Sequence, residues 1–342
     1  MRGIIVREYV EGPGDLRVTD LPSPEPLPSQ YKIAVHASAI NFFDLLQIRG
    51  KYQNQPRLPW VAGAEFSGIV LSVPSRPSPS YQGDVKAWRP KYSVGDKVFG
   101  AAQGGYATEV AAEEQRLRPI PKGWSFFEAA GLFVTAPTSY AALVTRAGDY
   151  VLVHAAAGGV GLAAVQIAKA FGATVIATAG TAHKLSVARS YGADHVVNYK
   201  DSSWPEQVKK LTPKGRGVDV VYDSVGLIEE SMKCTAWNGR LLVIGFAAGD
   251  IEKMATNRIL LKNVSVVGLH WGKYAENEPE TVEVVWDGLF RLMDEGKFKG
   301  TCFTDKEFVG LERVPDALRA LGARETWGKV VVRVSQDGAS KL

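Results

Sequence analysis

A run of small residues, Ala156-Ala157-Gly158-Gly159-Val160-Gly161, has the composition of a phosphate-binding turn. It follows an apolar segment typical of a buried strand, 151–154, and precedes one typical of a helix, 162–171. Small residues let the backbone approach a pyrophosphate, and the amides at a helix N-terminus attract an anion. The run therefore predicts a dinucleotide site with Ala157, Gly158, Gly159 and Val160 as its contacts, although Ala156 replaces the usual first glycine.

The end of the next predicted strand indicates which dinucleotide binds. An NAD site places Asp or Glu about 20 residues after the glycine turn, to bond the ribose 2′-hydroxyl. Here that strand ends in Ala179-Gly180-Thr181, without a carboxylate that would repel a 2′-phosphate. Thr181 can cap the following helix, Lys184 lies in its first turn, and Tyr199 ends the next strand. Each of these has an ordinary structural explanation, but together they predict NADPH as the cofactor.

The elements that must position this turn alternate between strand and helix from about residue 126 onward. The predicted strands are 150–154, 174–178, 195–199, 218–223, 241–246 and 264–269, and the predicted helices include 160–171, 182–191 and 281–295. This alternation requires crossover connections and hence a parallel sheet covered on both faces. The first 120 residues carry short β-branched runs between glycines and prolines, which predict an antiparallel β domain to which a last strand, 329–334, returns. The Pro/Ser-rich segment 74–92 predicts a surface loop.

Composition and charge exclude several classes of protein. A chain of 342 residues with 46% hydrophobic and 22% charged residues is typical of about two folded soluble domains. The net charge is +4 and no basic cluster stands out, so we expect neither a nucleic-acid nor a membrane partner. The two cysteines, Cys234 and Cys302, cannot form a disulfide framework or a structural zinc site. We therefore expect a cytoplasmic protein. Cys234 is expected to be inert, and Cys302 could be exposed at the surface.

Several motifs together resemble those of the medium-chain dehydrogenase/reductase superfamily, and most of all its zinc-free quinone oxidoreductase branch, the relatives of zeta-crystallin. The motifs are Asn41-Phe42-Phe43-Asp44, Ala156 to Gly161, Asp223-Ser224-Val225-Gly226, Gly245 to Gly249 and Thr326-Trp327-Gly328-Lys329-Val330. The resemblance implies an α/β fold with a GroES-like β-rich catalytic domain, 1–125 and 271–342. It also implies a Rossmann domain with a doubly wound parallel sheet, 126–270, an active site in the cleft between the domains, and a homodimer formed by pairing of edge strands at 265–269.

The resemblance also bears on zinc. Zinc-dependent relatives bind the catalytic metal at positions that correspond here to Asn41, Ala64 and Val134. Alanine and valine side chains have no lone pair, so we expect no metal site there. Glu65 corresponds to a glutamate beside the metal, and we expect it to pair with a neighbouring base instead.

The resemblance supplies the remaining site residues. Asn41, Asp44 and Tyr52 become the catalytic candidates, Thr138 is implied to contact the nicotinamide ring, and the backbone around Ser224, Val225, Phe246 and Trp271 is implied to hold that ring. A tyrosine can donate a proton or a hydrogen bond to a developing oxyanion, and whether Tyr52 is an essential proton donor stays open. Structural roles as a turn residue for Asn41 and as a cap for Asp44 also stay open. His154 is expected to pack in the core.

The expected function is hydride delivery from NADPH to a quinone or a similar conjugated carbonyl compound. Without a Lewis acid the acceptor must spread the negative charge itself, while the protein supplies orientation and electrostatics. The closest alternative is an alkenal or enoyl-thioester reductase, for which Arg49, Lys51 and Arg57 could bind a carrier's phosphates. A non-catalytic role, as a crystallin-like or RNA-binding protein, is the third possibility.

Overall fold

The computed structural model describes residues 1–79, 81, 83–144, 150–249 and 251–334. The strands are β1 (Arg2–Val6), β2 (Val18–Asp20), β3 (Gln30–Ala39), β4 (Trp60–Val61), β5 (Glu65–Ser72), β6 (Lys97–Ala101), β7 (Glu109–Glu113), β8 (Leu117–Pro119), β9 (Tyr150–Val153), β10 (Thr174–Ala179), β11 (His195–Asn198), β12 (Val218–Asp223), β13 (Thr235–Val243), β14 (Ser265–Gly268), β15 (Phe308–Val309) and β16 (Val331–Arg333). The α-helices are α1 (Phe42–Gln47), α2 (Phe126–Ala129), α3 (Leu132–Val144), α4 (Gly159–Ala170), α5 (Ala182–Ser190), α6 (Trp204–Lys210), α7 (Ile228–Ser231), α8 (Thr256–Lys262), α9 (Tyr274–Asn277), α10 (Pro279–Asp294) and α11 (Val314–Gly322).

The described chain divides into two compact units, one made of residues 1–134 with the segment from 302 onward and the other of residues 135–301. The sequence placed the divisions earlier, after 125 and after 270. Residues 126–134 belong with the first unit because α2 packs on its sheet, where Ser67 Oγ donates to Phe126 O at 2.6 Å. Residues before 302 belong with the second unit because the Gln166 side chain bonds both the N–H and the carbonyl of Lys299.

The first unit is mainly antiparallel. Its larger sheet has seven strands, in the order β15-β16-β3-β5-β6-β8 with β7 also paired to β3, and a smaller sheet has the order β2-β1-β4. The prediction of an antiparallel β domain is confirmed, as is the return of the last strand, because β16 pairs antiparallel with β3. β3 alternates buried Tyr31, Ile33 and Val35 with half-buried residues, the period of two expected when one face of a strand covers a core.

The Pro/Ser-rich loop is described except for Ser80 and Gln82, which lie outside the described residues. Its last part departs from the surface loop that was predicted. Tyr92 is buried in the core of the larger sheet, and its hydroxyl donates to Leu117 O at 3.1 Å. Loop composition marks turns and breaks but does not show which aromatic ring folds back onto a sheet.

The second unit contains a parallel sheet of six strands, in the order β11-β10-β9-β12-β13-β14. The predicted doubly wound sheet is confirmed. The chain runs from β9 outward to β11 on one side and then returns to place β12 on the other side of β9. In sheets of this kind, ligands bind beyond the carboxyl ends of the strands where the winding changes direction. The connection after β9 is therefore the expected position of a ligand-binding site.

One strand of this sheet begins earlier than predicted. β13 runs from Thr235 to Val243, whereas the apolar pattern indicated 241–246. Its first half includes the exposed Trp237 and Asn238, and Asn238 has a positive φ of 63°, so the apolar signal begins only at Leu241. Phe246 consequently lies in the loop that follows the strand.

The long amphipathic helix predicted at 281–295 is α10. Its buried face includes Trp286 and Leu289, spaced as a helix that packs on one side requires. Gly288 lies on the same face, where a Cβ would come within 1.9 Å of the Tyr140 hydroxyl. No helix in the described part of the chain is both long enough and apolar enough to cross a membrane.

Candidate active site

The turn between β9 and α4 has the geometry of a phosphate-binding loop. Ala155 has a positive φ of 45°, Gly158 N donates to Ala155 O at 2.8 Å, and Leu162 N donates to Gly158 O at 2.8 Å. A Cβ on Gly161 would lie 2.4 Å from Ala155 O, so glycine is needed for α4 to start this close to the turn. The first amides of a helix have no partner within the helix, which makes the start of α4 a candidate position for an anion.

The end of β10 lies directly beside the end of β11. The two strands pair in parallel, with Ala179 opposite Asn198, and a Cβ on Gly180 would lie 3.2 Å from the Tyr199 hydroxyl oxygen. Thr181 Oγ1 accepts a hydrogen bond from Lys184 N at 3.3 Å, which confirms Thr181 as the N-cap of α5. Gly180, Thr181, Lys184 and Tyr199 are therefore neighbours, and none of them would repel a phosphate.

The loops after β12 and β13 are joined by hydrogen bonds. Ala247 N donates to Ser224 O at 3.0 Å, and Ala248 N donates to Val225 O at 3.1 Å. The Asp223 carboxylate holds the first of these loops by accepting from the amides of Val225 at 2.8 Å and Leu227 at 2.6 Å. Burial raises the pKa of Asp223, while these backbone donors act in the opposite direction. Ser224 and Val225 thus lie beside the exposed Phe246 loop, as a shared ligand would require.

Thr138 and Trp271 are placed by their neighbours in the chain. Ser139 Oγ donates to Val160 O at 2.9 Å and contacts the Tyr222 hydroxyl at 2.9 Å, which fixes this part of α3 against the start of α4. Leu269 N donates to Val243 O at 3.1 Å, so the chain that leads to Trp271 leaves β14 beside the end of β13. Both residues therefore lie on elements next to the end of the parallel sheet at which its strands finish.

In the first unit, Asn41 and Asp44 open helix α1. Asn41 N donates to Asp44 Oδ2 at 2.8 Å in a capping box, which confirms the structural interpretation of Asp44 as a helix cap. The Tyr106 hydroxyl donates to the same Oδ2 at 2.5 Å, whereas Oδ1 is buried without a hydrogen-bond partner among the described residues. Burial raises the pKa of Asp44 to about 6, and burial together with the Asp44 charge raises the pKa of Tyr106.

A second buried group surrounds Asn41. Lys329 Nζ lies 2.7 Å from Glu65 Oε2 and also donates to Asn41 Oδ1. Asn41 Nδ2 donates to Glu65 Oε2 at 3.2 Å, and Val134 N donates to Glu65 Oε1 at 3.0 Å. The prediction that Glu65 pairs with a base is confirmed. Because an ammonium only donates hydrogen bonds, Lys329 also fixes which way the Asn41 amide points.

Space for the lysine comes from a glycine. A Cβ on Gly131 would lie 2.3 Å from Lys329 Cγ, so the lysine stem occupies the volume that a side chain at 131 would fill. Of the three positions that correspond to zinc ligands, only Asn41 carries a lone pair, and its oxygen is bonded to the ammonium. Ala64 and Val134 offer none. This set of side chains does not fit a tetrahedral zinc ion.

Tyr52 lies half-buried and stacks on Phe43, with 5.5 Å between the ring centroids and 24° between the planes. Burial and the nearby charge of Asp44 raise its pKa. Its hydroxyl therefore keeps its proton at neutral pH and can donate a hydrogen bond. Asn41, Asp44 and Tyr52 are thus grouped around the start of α1.

Three further residues have structural roles. His154 bonds the hydroxyls of Thr178 and Ser231 at 2.8 Å each, and burial lowers its pKa to about 3, which confirms its place in the core. Cys234 is buried, as an inert residue would be. The expectation that Cys302 could be exposed is wrong, because its thiol is buried against Phe127 O at 3.2 Å and its pKa is raised to about 12.

Four residues of these groups were missed in the sequence: Tyr106, Ser139, Asp223 and Lys329. Asp223 and Lys329 stand within recognised motifs, but nothing in the motifs shows that they hold other site residues. Tyr106 and Ser139 carry no signal, because each acts through hydrogen bonds to residues distant in the chain.

The chain matches two family models, the alcohol dehydrogenase GroES-like domain over residues 27–122 and the zinc-binding dehydrogenase family over residues 159–287. It is 37% identical over 317 residues to a quinone oxidoreductase-like protein 2 homolog of Nematostella vectensis, covering 90% of this chain and 82% of that protein. It is similar in structure to the Escherichia coli quinone oxidoreductase complexed with NADPH, with a TM-score of 0.82, 29% identity and coverage of 97% and 100%. The CurK enoyl reductase gives a TM-score of 0.82 with 26% identity and coverage of 98% and 99%.

Proposed function

Because the chain belongs to the medium-chain dehydrogenase/reductase superfamily, in its quinone oxidoreductase branch, we propose that it reduces quinones or similar conjugated carbonyl compounds with NADPH. The observation that carries the proposal is the turn between β9 and α4, with a second strand end nearby that bears Thr181 and Lys184 but no carboxylate. NADPH supplies the hydride when it is bound. The residues of the chain bind that cofactor, orient the acceptor and stabilise the charge that develops on it.

The proposed division of work follows the two groups of residues. In the second unit, the turn from Ala157 to Val160 binds the pyrophosphate, and Gly180, Thr181, Lys184 and Tyr199 bind the 2′-phosphate. The nicotinamide is held by Thr138, Ser224, Val225, Phe246 and Trp271. In the first unit, the Tyr52 hydroxyl donates a hydrogen bond to the acceptor oxygen, and Asn41 and Asp44 line the same part of the site. Asp44 also keeps its role as the cap of α1, because the carboxylate that lines the site is the one that accepts from Asn41 N.

We propose that the reaction needs no zinc. Support comes from the residue types at positions 41, 64 and 134 and from the Lys329 ammonium, which already neutralises Glu65. Prolonged dialysis of the purified protein against a chelator of divalent cations should leave turnover within about twofold. Loss of activity that added zinc restores would overturn this part of the proposal.

The test of the main function is the oxidation of NADPH, followed by its absorbance, with a panel of quinones and enones. We expect turnover with small electron-poor quinones and transfer of deuterium from one face of stereospecifically deuterated NADPH. Failure to turn over any acceptor, despite tight NADPH binding, would favour a non-catalytic crystallin-like or RNA-binding role.

The second candidate is reduction of an activated carbon–carbon double bond, as in alkenal or enoyl-thioester reductases. It is supported by the structural similarity to the CurK enoyl reductase and by the exposed Arg49, Lys51 and Arg57, which could meet a carrier's phosphates. The panel separates the candidates if it includes a crotonyl thioester of N-acetylcysteamine. A kcat/KM for this thioester far above that for every quinone would favour the double-bond reductase.

We propose a homodimer formed along β14. This strand stands at the edge of the parallel sheet, and the helix before it exposes Leu260 and Leu261 at 78% and 74%. Edge strands carry unpaired backbone groups that a second copy can bond. Light scattering on a sizing column should give twice the mass of one chain, and a double variant with Asp at both leucines should shift the mass toward one chain. A monomeric wild-type protein would contradict the dimer.

We also propose that the protein works in the cytoplasm. Both cysteines are free and buried, which suits a reducing compartment. Cell fractionation with antibodies to the untagged protein tests this location, and recovery in a membrane-enclosed fraction would contradict it.

A further inference from the structure

The end of β10 carries a second lysine that the site residues above do not include. β11 pairs in parallel with β10, so Tyr199 and Lys200 follow their strand beside Gly180 and Thr181. A Cβ on Gly180 would lie 3.1 Å from Lys200 Cε, which means that the lysine side chain crosses the end of β10. In dinucleotide-binding sheets this strand end faces the ribose 2′ position of the cofactor.

The charge of Lys200 is not used elsewhere. Among the described residues Lys200 forms no ion pair, and its amide is held by Asn198 Oδ1 at 3.0 Å. The neighbouring carboxylate, Asp201, is turned toward α6, where it accepts from Ser203 N at 2.9 Å and Gln207 Nε2 at 2.7 Å. The Lys200 ammonium is therefore available for an anion.

The two strands also distribute their charges unequally along their length. Asp194 is the only acidic residue between 174 and 200, and it lies at the amino end, where it accepts from Val175 N at 2.7 Å and pairs with Lys169 at 2.9 Å. The carboxyl end bears Lys184 and Lys200 and no carboxylate from either strand. A dianionic group at this end is attracted by the two lysines and is not repelled by any carboxylate of these strands.

We propose that Lys200 is a specificity-determining residue that binds the 2′-phosphate of NADPH together with Lys184. The inference rests on the proposed function, since it requires a phosphorylated dinucleotide in this unit. Lys184, in the first turn of α5, and Lys200, just after β11, both bind the phosphate, and Gly180 leaves the space through which the Lys200 stem passes. NADH lacks the phosphate, so Lys200 contributes little to its binding.

The test is the dissociation constant of NADPH and of NADH, each measured by quenching of intrinsic fluorescence without an acceptor. Removal of one charge-assisted contact to phosphate, in Lys200→Met, should weaken NADPH binding about tenfold and leave NADH within about twofold. Lys200→Arg should retain most of the NADPH affinity. The loss of NADPH affinity in Lys200→Met should be smaller at high salt, because Lys200 is exposed and salt screens its attraction to the phosphate.

Lys210→Met is the matched control. Lys210 is an exposed lysine at the end of α6, after which the chain leads to the start of β12, at the amino end of the sheet. Its removal should change neither constant. An unchanged ratio of NADPH to NADH affinity in Lys200→Met, with wild-type protein still preferring NADPH, would overturn the role of Lys200 alone. Equal affinities in the wild-type protein would instead overturn NADPH as the proposed cofactor.

Discussion

The ammonium of Lys329 lies 2.7 Å from the carboxylate of Glu65, and their side chains are only 5% and 0% exposed. Two opposite charges removed from water in this way depend on each other, because either one alone would be a buried, uncompensated ion. The same ammonium donates a hydrogen bond to the Asn41 amide oxygen, and the Glu65 carboxylate also accepts one from the backbone amide of Val134. This ion pair therefore holds Asn41, one of the three catalytic candidates, in place.

Breaking this pair from one side should be costly. Lys329→Met leaves Glu65 buried without its cation and should lower the free energy of unfolding by about 3–5 kcal/mol, measured by denaturant titration. Adding Glu65→Gln should recover part of the loss, since the two changes are coupled. Lys122→Met, at an exposed lysine of the same unit, should cost less than about 0.5 kcal/mol. Equal losses at Lys329 and Lys122 would contradict the buried pair.

Asp44 should make stability depend on pH. Its pKa is raised from 3.8 to about 6 in the folded state, chiefly by burial, so between these values the folded state binds a proton that the unfolded state has lost. Stability should therefore fall as the pH rises through this interval and then level off, by on the order of 3 kcal/mol.

The comparison that isolates this effect is with Asp44→Asn, which cannot titrate. The difference in unfolding free energy between wild type and variant should move in favour of the variant as the pH rises from about 4 to about 7. A difference that stays constant across this range would show that Asp44 has an ordinary pKa.

Gly161 should be required for the dinucleotide turn. A Cβ at this position would lie 2.4 Å from Ala155 O, so in Gly161→Ala either the turn or the start of α4 must shift. We expect a loss of about 1–3 kcal/mol in stability and a weaker affinity for NADPH, measured by denaturation and fluorescence quenching. Gly14→Ala is the control, because a Cβ there has no atom within 4 Å. Unchanged NADPH affinity in the Gly161 variant would argue against this turn as the pyrophosphate site.

Tyr52 should act on the acceptor and not on the cofactor. Tyr52→Phe removes a hydroxyl whose pKa is raised by burial and by Asp44, and should lower kcat/KM for quinones about tenfold or more while NADPH affinity stays the same. Because the hydroxyl stays protonated, the wild-type rate should show no loss from Tyr52 ionisation up to at least about pH 9.

Tyr81→Phe, at an exposed tyrosine of the same unit, serves as the control for Tyr52 and should leave the kinetics unchanged. If Tyr52→Phe reduced NADPH affinity by the same factor as kcat/KM, a role on the acceptor side would be wrong.

The fold could be predicted in large part from local patterns. The small residues from Ala156 to Gly161 between two apolar segments predicted the turn, because a close backbone approach leaves few residue types possible. Thr181 before a helix predicted its own cap, and the alternation of strands and helices predicted the parallel sheet. Errors arose where the pattern was weak, as at the exposed start of β13, or where long-range packing decided the outcome, as at Tyr92 and Cys302.

The sequence by itself determined the type of fold, the place of the dinucleotide turn and the absence of an acid at the end of β10, since each depends on residues close together in the chain. Only the tertiary structure decided that Lys329 forms an ion pair with Glu65, that Tyr106 donates a hydrogen bond to Asp44, and that the Lys200 side chain packs over Gly180. These contacts join separate segments, and strand register and side-chain direction determine them. The periodicity of a sequence gives each strand a buried face, but it leaves open which strand lies beside it.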